Sequence, residues 1–201
     1  MNPHFIFNSL NAIKLYIIDN KEENVVDYLN KFSKLIGKIL ASTQEKQITL
    51  TEEIETIKLY IGIEDIIFNN EIEATFTIDE MLPLDTIKIP SLILQPFAEN
   101  AIWHGLSLKN DQKKLHSAIC KKESIYIEIR IEDNGIGREK SSLIKQRKLY
   151  KKESIGVNLT KERLSNFEKD YKNNYSLKFE DLYDEDKKAS GTTVVLEIPL
   201  Q

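Results

Sequence analysis

The sequence predicts an α+β protein, in which an N-terminal helical hairpin is followed by a two-layer α/β sandwich with a mixed sheet. Apolar residues recur at spacings of three and four in the first part of the chain, as in antiparallel helices of a bundle. Farther on, helical and alternating patterns are interspersed without regular βαβ order, which favours helices on one face of a mixed sheet. The pattern breaks around Gln44–Gln47, so we expect one domain over residues 1–47 and another over residues 48–201.

The composition argues against several classes of protein. The 201 residues are 41% hydrophobic and 30% charged, which suits a globular protein with a real core. No apolar run reaches the roughly 20 residues of a membrane span, and the N-terminus lacks the pattern of a signal peptide. The net charge of −4 argues against nucleic acid as a partner. The single cysteine cannot form an internal disulfide, which fits a reducing compartment such as the cytoplasm.

The first 47 residues are predicted to form two antiparallel helices. Two helices cannot enclose a core alone, so we expect a second copy to complete a homodimeric four-helix bundle. The alternative is that the hairpin packs on the rest of the chain. The apolar seams are Ile6, Leu10, Ile13 and Ile17 in the first helix, and Val25, Leu29, Phe32, Ile36 and Ile39 in the second.

A helix is predicted next, from about Thr49 to Asn69. Thr49 and Glu52 have the spacing of a capping box, and Glu53 adds an acidic residue to the first turn. Residues 74–78 then alternate between apolar and polar side chains, which indicates a half-buried strand.

The segment Leu94–Gly105 is predicted to be a mostly buried helix that carries polar side chains. Asn100 and His104 are four residues apart and share a face, with Glu99 beside them. A buried helix has little reason to carry such residues unless partners or a ligand satisfy them. It is therefore either a core helix with a polar edge or, as we expect, the floor of a nucleotide site. Pro96 either kinks this helix or lies before its regular part.

The middle of the chain combines a clear strand with two charged stretches. Lys109–Glu123 is lysine-rich and is predicted to be a loop. Ile125–Glu132 alternates strictly, as a strand with one buried face does, and leads into Asp133–Gly137. That segment is either a hairpin turn or part of a ligand site. Residues 138–152 hold seven basic residues and one acidic residue, which indicates either a solvated face or a phosphate-attracting lid.

The last part of the chain is predicted to contain one helix and two strands. Ser154–Leu164 reads as an amphipathic helix near whose start Gly156 could approach an anion, or could be an ordinary cap. Strands are expected at Tyr175–Phe179 and Val194–Ile198, separated by an acidic loop over Glu180–Lys188.

Five motifs, in this order, resemble the LytS/YehU-type sensor histidine kinases. The ATP-binding part of those kinases has the Bergerat fold of the gyrase/Hsp90/histidine-kinase/MutL (GHKL) superfamily. The resemblance covers nearly the whole chain, and the order of the motifs is more specific than any one of them. The motifs are NPHFIFNSLN, LQPFAENAIWHG, DNGIG, SIGVNLTKERL and GTTVVLEIP.

The resemblance implies that the chain binds Mg²⁺ and ATP and phosphorylates itself on a histidine. It assigns His4 as the phosphoacceptor, Asn100 to Mg²⁺, and Asp133 to the amino group of adenine. An amide oxygen is a suitable hard ligand for Mg²⁺, and an ionised carboxylate accepts hydrogen bonds without donating any. The remaining implied positions are His104 near the phosphates, Gly135 and Gly137 beside the base, Gly156 at the end of the lid and Thr192 near adenine, while Glu99 is a weaker candidate for orienting the nucleophile.

Among the positions that depart from the family pattern, three bear on the reaction. Ser154 replaces a glycine and Leu159 an asparagine near the lid, which leaves open a catalytically degenerate ATP-binding scaffold that signals by conformation alone. Pro96 occupies the position of the water-activating glutamate of hydrolytic relatives, which disfavours a free ATPase and suits a transferase.

The resemblance also implies partners. We expect phosphoryl transfer to an aspartate of a response regulator receiver domain, and a homodimer in the full-length protein. The family usually has a sensor, often membrane-embedded, before the histidine. We therefore expect the chain to be the cytoplasmic fragment of an inner-membrane receptor, with Met1 an internal residue and membrane contact only through the missing upstream region.

Overall fold

The computed structural model describes residues 10, 11, 13, 14, 18, 22–123, 125–147, 155–168 and 175–200. Five α-helices lie within these residues: α1 Glu22–Gln44, α2 Leu50–Ile67, α3 Gln95–Asn100, α4 Gly137–Arg147 and α5 Ile155–Glu168. A π-helical turn, Ala101–Gly105, and a 3-10 turn, Leu106–Leu108, continue α3. The strands in the same residues are β1 Gln47–Thr49, β2 Ile72–Ile78, β3 Lys88–Pro90, β4 Lys113–Lys122, β5 Tyr126–Asp133, β6 Ser176–Tyr183 and β7 Ala189–Pro199.

The main sheet has five strands in the order β2-β4-β5-β7-β6. Strand β2 runs parallel to β4 and the other neighbours are antiparallel, so the predicted mixed sheet is confirmed. In β5 the apolar residues Ile127, Ile129 and Ile131 are buried in the common core, while the alternate residues are half-buried. The half-buried face of the sheet carries ion pairs, for example between Lys122 of β4 and Glu128 of β5. The domain therefore has the predicted two layers, with the core between sheet and helices.

Strand β4 corrects the prediction that Lys109–Glu123 is a loop, which was wrong. It pairs with β2 on one side and with β5 on the other, so it lies inside the sheet. Its buried face carries Leu115, Ser117 and Ile119, and its other residues are polar or charged apart from Ala118 and Cys120. Because Ser117 interrupts the apolar alternation and lysines surround it, the period-two pattern is too weak to recognise in the sequence.

Other predicted elements are present with shifted ends. The helix after Thr49 is confirmed together with its capping box, in which the Glu52 backbone N–H donates to Thr49 Oγ1 at 3.1 Å. The predicted acidic loop over Glu180–Lys188 is shorter than expected, because β6 continues to Tyr183 and β7 already begins at Ala189. The start of the basic stretch after Gly137 forms the helix α4.

Helix α1, the second helix of the predicted hairpin, packs on α2, in agreement with the alternative in which this part packs on the rest of the chain. Tyr28, Leu35 and Ile39 are buried in the same core as the apolar residues of α2, and Lys38 Nζ pairs with Glu55 of α2 at 2.6 Å. Leu29 of the predicted seam is 40% exposed instead. Among the residues described, no helix combines the length and the apolarity that a membrane crossing requires.

Candidate nucleotide site

The site helix α3 starts in a way that explains the proline in its sequence. Leu94 is its N-cap residue, and Pro96 lies in the first turn. The first N–H groups of a helix have no partner within it, so a proline there removes no helical hydrogen bond. Pro96 therefore lies before the regular part of the helix and does not kink it, which is one of the two predicted alternatives.

A buried carboxylate from α2 holds the start of α3. Glu53, only 2% exposed, accepts hydrogen bonds from the backbone N–H groups of Leu92 at 2.9 Å and of Leu94 at 2.8 Å. Burial raises its pKa to about 7, although these backbone bonds and the charge of Arg163 oppose the shift. The Arg163 guanidinium of α5 donates to the Ser91 and Leu92 carbonyls of the same segment. The sequence suggested only an acidic first-turn residue at Glu53, because no local pattern shows its distant partners.

Asp133 lies at the end of β5, against the end of the site helix. It is 5% exposed, and its Oδ1 accepts a hydrogen bond from the Gly135 N–H at 2.8 Å. Burial raises its pKa to about 7, and the neighbouring charge of Glu132 acts in the same direction. The carboxyl group is therefore shielded from water but retains acceptor capacity for a ligand.

Glycines allow the backbone to come this close to Asp133. A Cβ on Gly105 would lie 2.5 Å from Asp133 Oδ1, and a Cβ on Gly135 would lie 2.3 Å from the Gly105 carbonyl carbon. On the next strand, a Cβ on Gly191 would lie 2.0 Å from the Asp133 carbonyl oxygen. A larger residue at Gly135 or Gly191 would require the surrounding backbone to move, and one at Gly105 would require the Asp133 side chain or the turn to move.

A cavity of about 230 Å³ opens beside Asp133. Helix α3, the π-helical turn, the start of α4 and strands β5, β6 and β7 contribute to its wall. Its apolar lining comes from Phe97, Ala101, Ile131, Phe179 and Val194, and its other lining residues are Asn100, His104, Gly105, Asp133, Gly137, Arg138, Ser141, Ser142 and Thr192.

Five of the predicted site residues are among the described residues that line the cavity. Gly135 lies directly behind the Asp133 carboxylate, and Gly156 lies in the first turn of α5. Glu99 is half-buried and is not among the described residues that line the cavity. Burial raises the pKa of Glu64 on α2, and the charge of Glu99 acts in the same direction. His4 lies outside the described residues. The predicted residues that do line the cavity are Asn100, His104, Asp133, Gly137 and Thr192.

Arg138 has a defined partner at the cavity wall, which the sequence did not suggest. Its guanidinium forms two hydrogen bonds of 2.7 Å with the Asp181 carboxylate and lies 5.5 Å from the centre of the Phe179 ring. Phe179 in turn makes an edge contact with Phe97 of α3 at 6.2 Å. The pair joins the start of α4 to β6. It was missed because Arg138 belongs to a basic run and Asp181 to a stretch predicted as a loop.

Comparisons with known proteins agree with this architecture. The histidine kinase family model matches residues 1–72. The chain is 34% identical over 137 residues to the sensor histidine kinase BtsS of Escherichia coli K12, covering 67% of this chain and 23% of that protein. It is 32% identical over 160 residues to the sensor protein LytS of Oceanobacillus iheyensis, covering 78% of this chain and 26% of that one. The chain belongs to the LytS-type sensor histidine kinases.

A solved structure supports the fold of this histidine kinase chain. The histidine kinase domain of the blue-light activated kinase EL346 from Erythrobacter litoralis superposes with a TM-score of 0.54 at 12% identity, covering 98% of this chain and 93% of that one. The sensor protein LytS of Enterococcus faecalis is 24% identical over the whole of this chain, and the match covers 33% of that protein. The chain thus spans a third or less of the length of these curated relatives.

Proposed function

We propose that the chain is the kinase region of a sensor histidine kinase of a two-component system. It binds Mg²⁺-ATP in the cavity beside Asp133 and transfers the γ-phosphoryl group to an imidazole nitrogen of His4. From there the group passes to an aspartate of a response regulator receiver domain. The observation that carries this proposal is the convergence of the predicted nucleotide-binding side chains Asn100, His104, Asp133 and Thr192 on one cavity.

The shape of the cavity supports recognition of a base at its inner end. At about 230 Å³ it is smaller than the roughly 300–1,000 Å³ of pockets that enclose drug-sized ligands, which suits a base better than a whole nucleotide. Phe97, Ile131 and Val194 offer apolar walls to a flat ring. In its ionised form Asp133 accepts a hydrogen bond from the amino group of adenine, whereas a guanine carbonyl would offer it no donor.

The metal and phosphate end of the site depends on few protein groups. Asn100 is half-buried and lines the cavity, with His104 four residues on. The described residues contain no cluster of three or more His, Cys, Asp or Glu side chains that could hold a metal. A single amide oxygen suits Mg²⁺, which takes its other ligands from phosphates and water. When bound, Mg²⁺ would neutralise phosphate charge, and Asn100 would hold it near the opening of the cavity.

The helical hairpin would contribute the acceptor and the dimer contact. We propose the division at residue 47, with a dimerisation and phosphoacceptor part before it and the ATP-binding part after it. Val26 and Leu40 of α1 are 58% and 60% exposed although the opposite face of this helix is buried. Such an apolar surface is suited to a second copy in a four-helix bundle. The cytoplasmic location of this part of a longer receptor is likewise proposed.

Incubation of the protein with Mg²⁺ and γ-labelled ATP tests the proposed function. We expect label that is stable in base and lost in acid, as a phosphoramidate is, and we expect no label in the His4→Gln variant. Calorimetry with Mg²⁺-ADP should show the same affinity in both proteins. Label that persists in His4→Gln would exclude this residue as the acceptor, and nucleotide binding without any label would favour the scaffold alternative.

A further inference from the structure

The helix that carries the site changes geometry just before it reaches Asp133. After Asn100 the α-helix gives way to the π-helical turn Ala101–Gly105. A π-helical turn is rare, and such turns occur frequently at functional sites. Because it is less favourable than an α-helical turn, contacts from outside the helix have to stabilise it.

Trp103 supplies those contacts from the middle of the turn. Its indole Nε1 donates a hydrogen bond to Glu64 Oε1 at 3.0 Å, and its ring makes an edge contact with Phe68 at 5.4 Å. Its carbonyl oxygen accepts a hydrogen bond from Ser107 Oγ at 2.7 Å. Glu64 belongs to α2 and is 0% exposed, so this acceptor is itself fixed within the core. The turn is thus attached to α2 through Trp103, which is not among the described residues that line the cavity.

The position of this turn determines the surroundings of Asp133. Gly105 lies two residues after Trp103, and a Cβ on it would meet Asp133 Oδ1 at 2.5 Å. The Gly105 carbonyl oxygen accepts a hydrogen bond from the Ile136 N–H at 3.2 Å, which ties the turn to the loop after β5. The backbone of Gly105 therefore covers the carboxylate. If the turn moved outward, water would gain access to Asp133.

We infer that Glu64 and Trp103 are positioning residues of the nucleotide site, which hold the Ala101–Gly105 turn against Asp133 so that this carboxylate meets the base at a fixed, dry place. The inference rests on the proposed function, because it assigns a task to two residues that touch neither base nor phosphate. The hydrogen bond between them acts through Gly105.

Calorimetric titration of the 201-residue chain with Mg²⁺-ADP tests this role. Trp103→Phe keeps an aromatic ring and removes the N–H donor. We expect its Kd to rise about tenfold, the factor that corresponds to losing a hydrogen bond with a charged group. Glu64→Gln keeps an oxygen acceptor and loses the charge, so we expect a rise of about threefold. Phe68→Leu is the matched control, since it removes the ring contact with Trp103 and leaves the hydrogen bond; its Kd should stay within about twofold.

The pH dependence of binding separates positioning from a general loss of packing. Binding requires ionised Asp133, so affinity falls as pH decreases through the pKa of about 7 that burial gives it. Other groups around this carboxylate are Glu132 on β5, Arg138 on α4, which is paired, and His104 on the turn. Lys114 of β4 points to the other face of the sheet. The comparison is made in a His104→Gln background, so that the histidine among the described lining residues does not contribute to the profile.

In that background, the midpoint of the affinity profile should shift down by about one pH unit on Trp103→Phe, because water then reaches Asp133. A weaker Kd with an unchanged midpoint would mean that Trp103 serves stability alone and would overturn the inference. If Trp103→Phe does not unfold cooperatively, the midpoint of the affinity profile is measured for Glu64→Gln instead, and the same two outcomes support or overturn the inference. Unmodified protein that binds no Mg²⁺-ADP would overturn the proposed function and the inference with it, whereas normal binding with unaffected variants would overturn the inference alone.

Discussion

Asp133 shows how a residue proposed to recognise a ligand can lower the stability of the fold. Its carboxylate is covered by Gly105 and receives one backbone hydrogen bond, from Gly135, at 2.8 Å. An ionised carboxylate with so few partners is unfavourable in a buried place, which is why its pKa rises to about 7. The amino group of adenine would donate a further hydrogen bond to this carboxylate. The buried charge therefore makes the fold less stable than it would be with a neutral group at position 133.

This conflict predicts the behaviour of Asp133→Asn. The folded-state pKa lies above the unfolded value, so the folded protein binds more protons between the two, and stability falls as pH rises from about 4 to about 7. At pH 8 the variant avoids the buried charge, and we expect its free energy of unfolding to increase by about 1–3 kcal/mol. The gain should vanish near pH 4. Binding of Mg²⁺-ADP, measured by calorimetry, should be lost.

The control for this prediction is Glu132→Gln, next to Asp133 on the same strand. Glu132 is half-buried and accepts a hydrogen bond from Thr193 Oγ1 at 3.0 Å. We expect a stability change within about 0.5 kcal/mol at pH 8 and retained binding. A lower unfolding temperature of Asp133→Asn than of the unmodified protein at pH 8 would contradict the prediction.

At the residue scale, the sequence was informative where chemistry stands out locally and silent where it depends on distant contacts. Asn100 and Asp133 were recognisable because polar residues adjoin apolar patterns and glycines. Glu53 looked like an ordinary first-turn acid, although it binds backbone groups about 40 residues away. Gly105 looked like a helix end, but its φ of −97° is open to any residue, and the closeness of Asp133 is what requires glycine there.

At the scale of elements, the site depends on the close approach of the helical turn to β5. Strong single-element patterns made α2 and β5 predictable. The π-helical turn and β4 were not predictable, because contacts with other elements determine their conformation. The turn is held by the hydrogen bond between Trp103 and Glu64 of α2, and β4, which contains Ser117, is held by the strands on either side. Sequence periodicity reports how one element buries its own face and says little about how two elements meet.

The approach of the turn to β5 predicts that Gly105→Ala is destabilising. Its Cβ would lie 2.5 Å from Asp133 Oδ1, so either the Asp133 side chain or the turn must move, which would disturb the Gly135–Asp133 or the Gly105–Ile136 hydrogen bond. We expect the free energy of unfolding to fall by about 1–3 kcal/mol, as in other overpacked sites. Urea unfolding followed by circular dichroism measures this change.

For Gly62, which lies inside helix α2, we expect alanine to have the opposite effect on stability. A Cβ on Gly62, inside α2, would have no atom within 4 Å, and alanine favours a helix over glycine. Gly62→Ala should therefore raise the free energy of unfolding by about 0.5–1 kcal/mol. Equal effects of the two substitutions would show that the contact with Asp133 is not the reason for glycine at position 105.

At the scale of the whole molecule, α1 presents two faces with different tasks. One face shares the core of the ATP-binding part through Tyr28, Leu35 and Ile39. The other keeps Val26, Leu29 and Leu40 at the surface. The seam predicted for a bundle mixed residues of both faces, since periodicity cannot distinguish packing on α2 from packing on a second copy. The helix is thus placed to connect the proposed dimer contact with the domain proposed to bind the nucleotide.

The two faces predict different outcomes for two leucines of this helix. Leu35 is 0% exposed, so Leu35→Ala should lower the free energy of unfolding by about 3 kcal/mol, the range for buried leucine truncations. Leu40 is 60% exposed, and Leu40→Ser should change it by less than about 0.5 kcal/mol. Denaturant unfolding measures both, at a protein concentration low enough that association does not contribute.

Sedimentation velocity completes the comparison, because it reports association and not folding. If the exposed face binds a second copy, Leu40→Ser should shift the protein towards monomer while its unfolding free energy stays the same. Leu35→Ala loosens α1 from α2 and should reduce stability at every concentration. A Leu40→Ser protein that is as unstable as Leu35→Ala would mean that both faces are packed within one chain. Unchanged association would place the dimer contact elsewhere and leave α1 as part of the ATP-binding core alone.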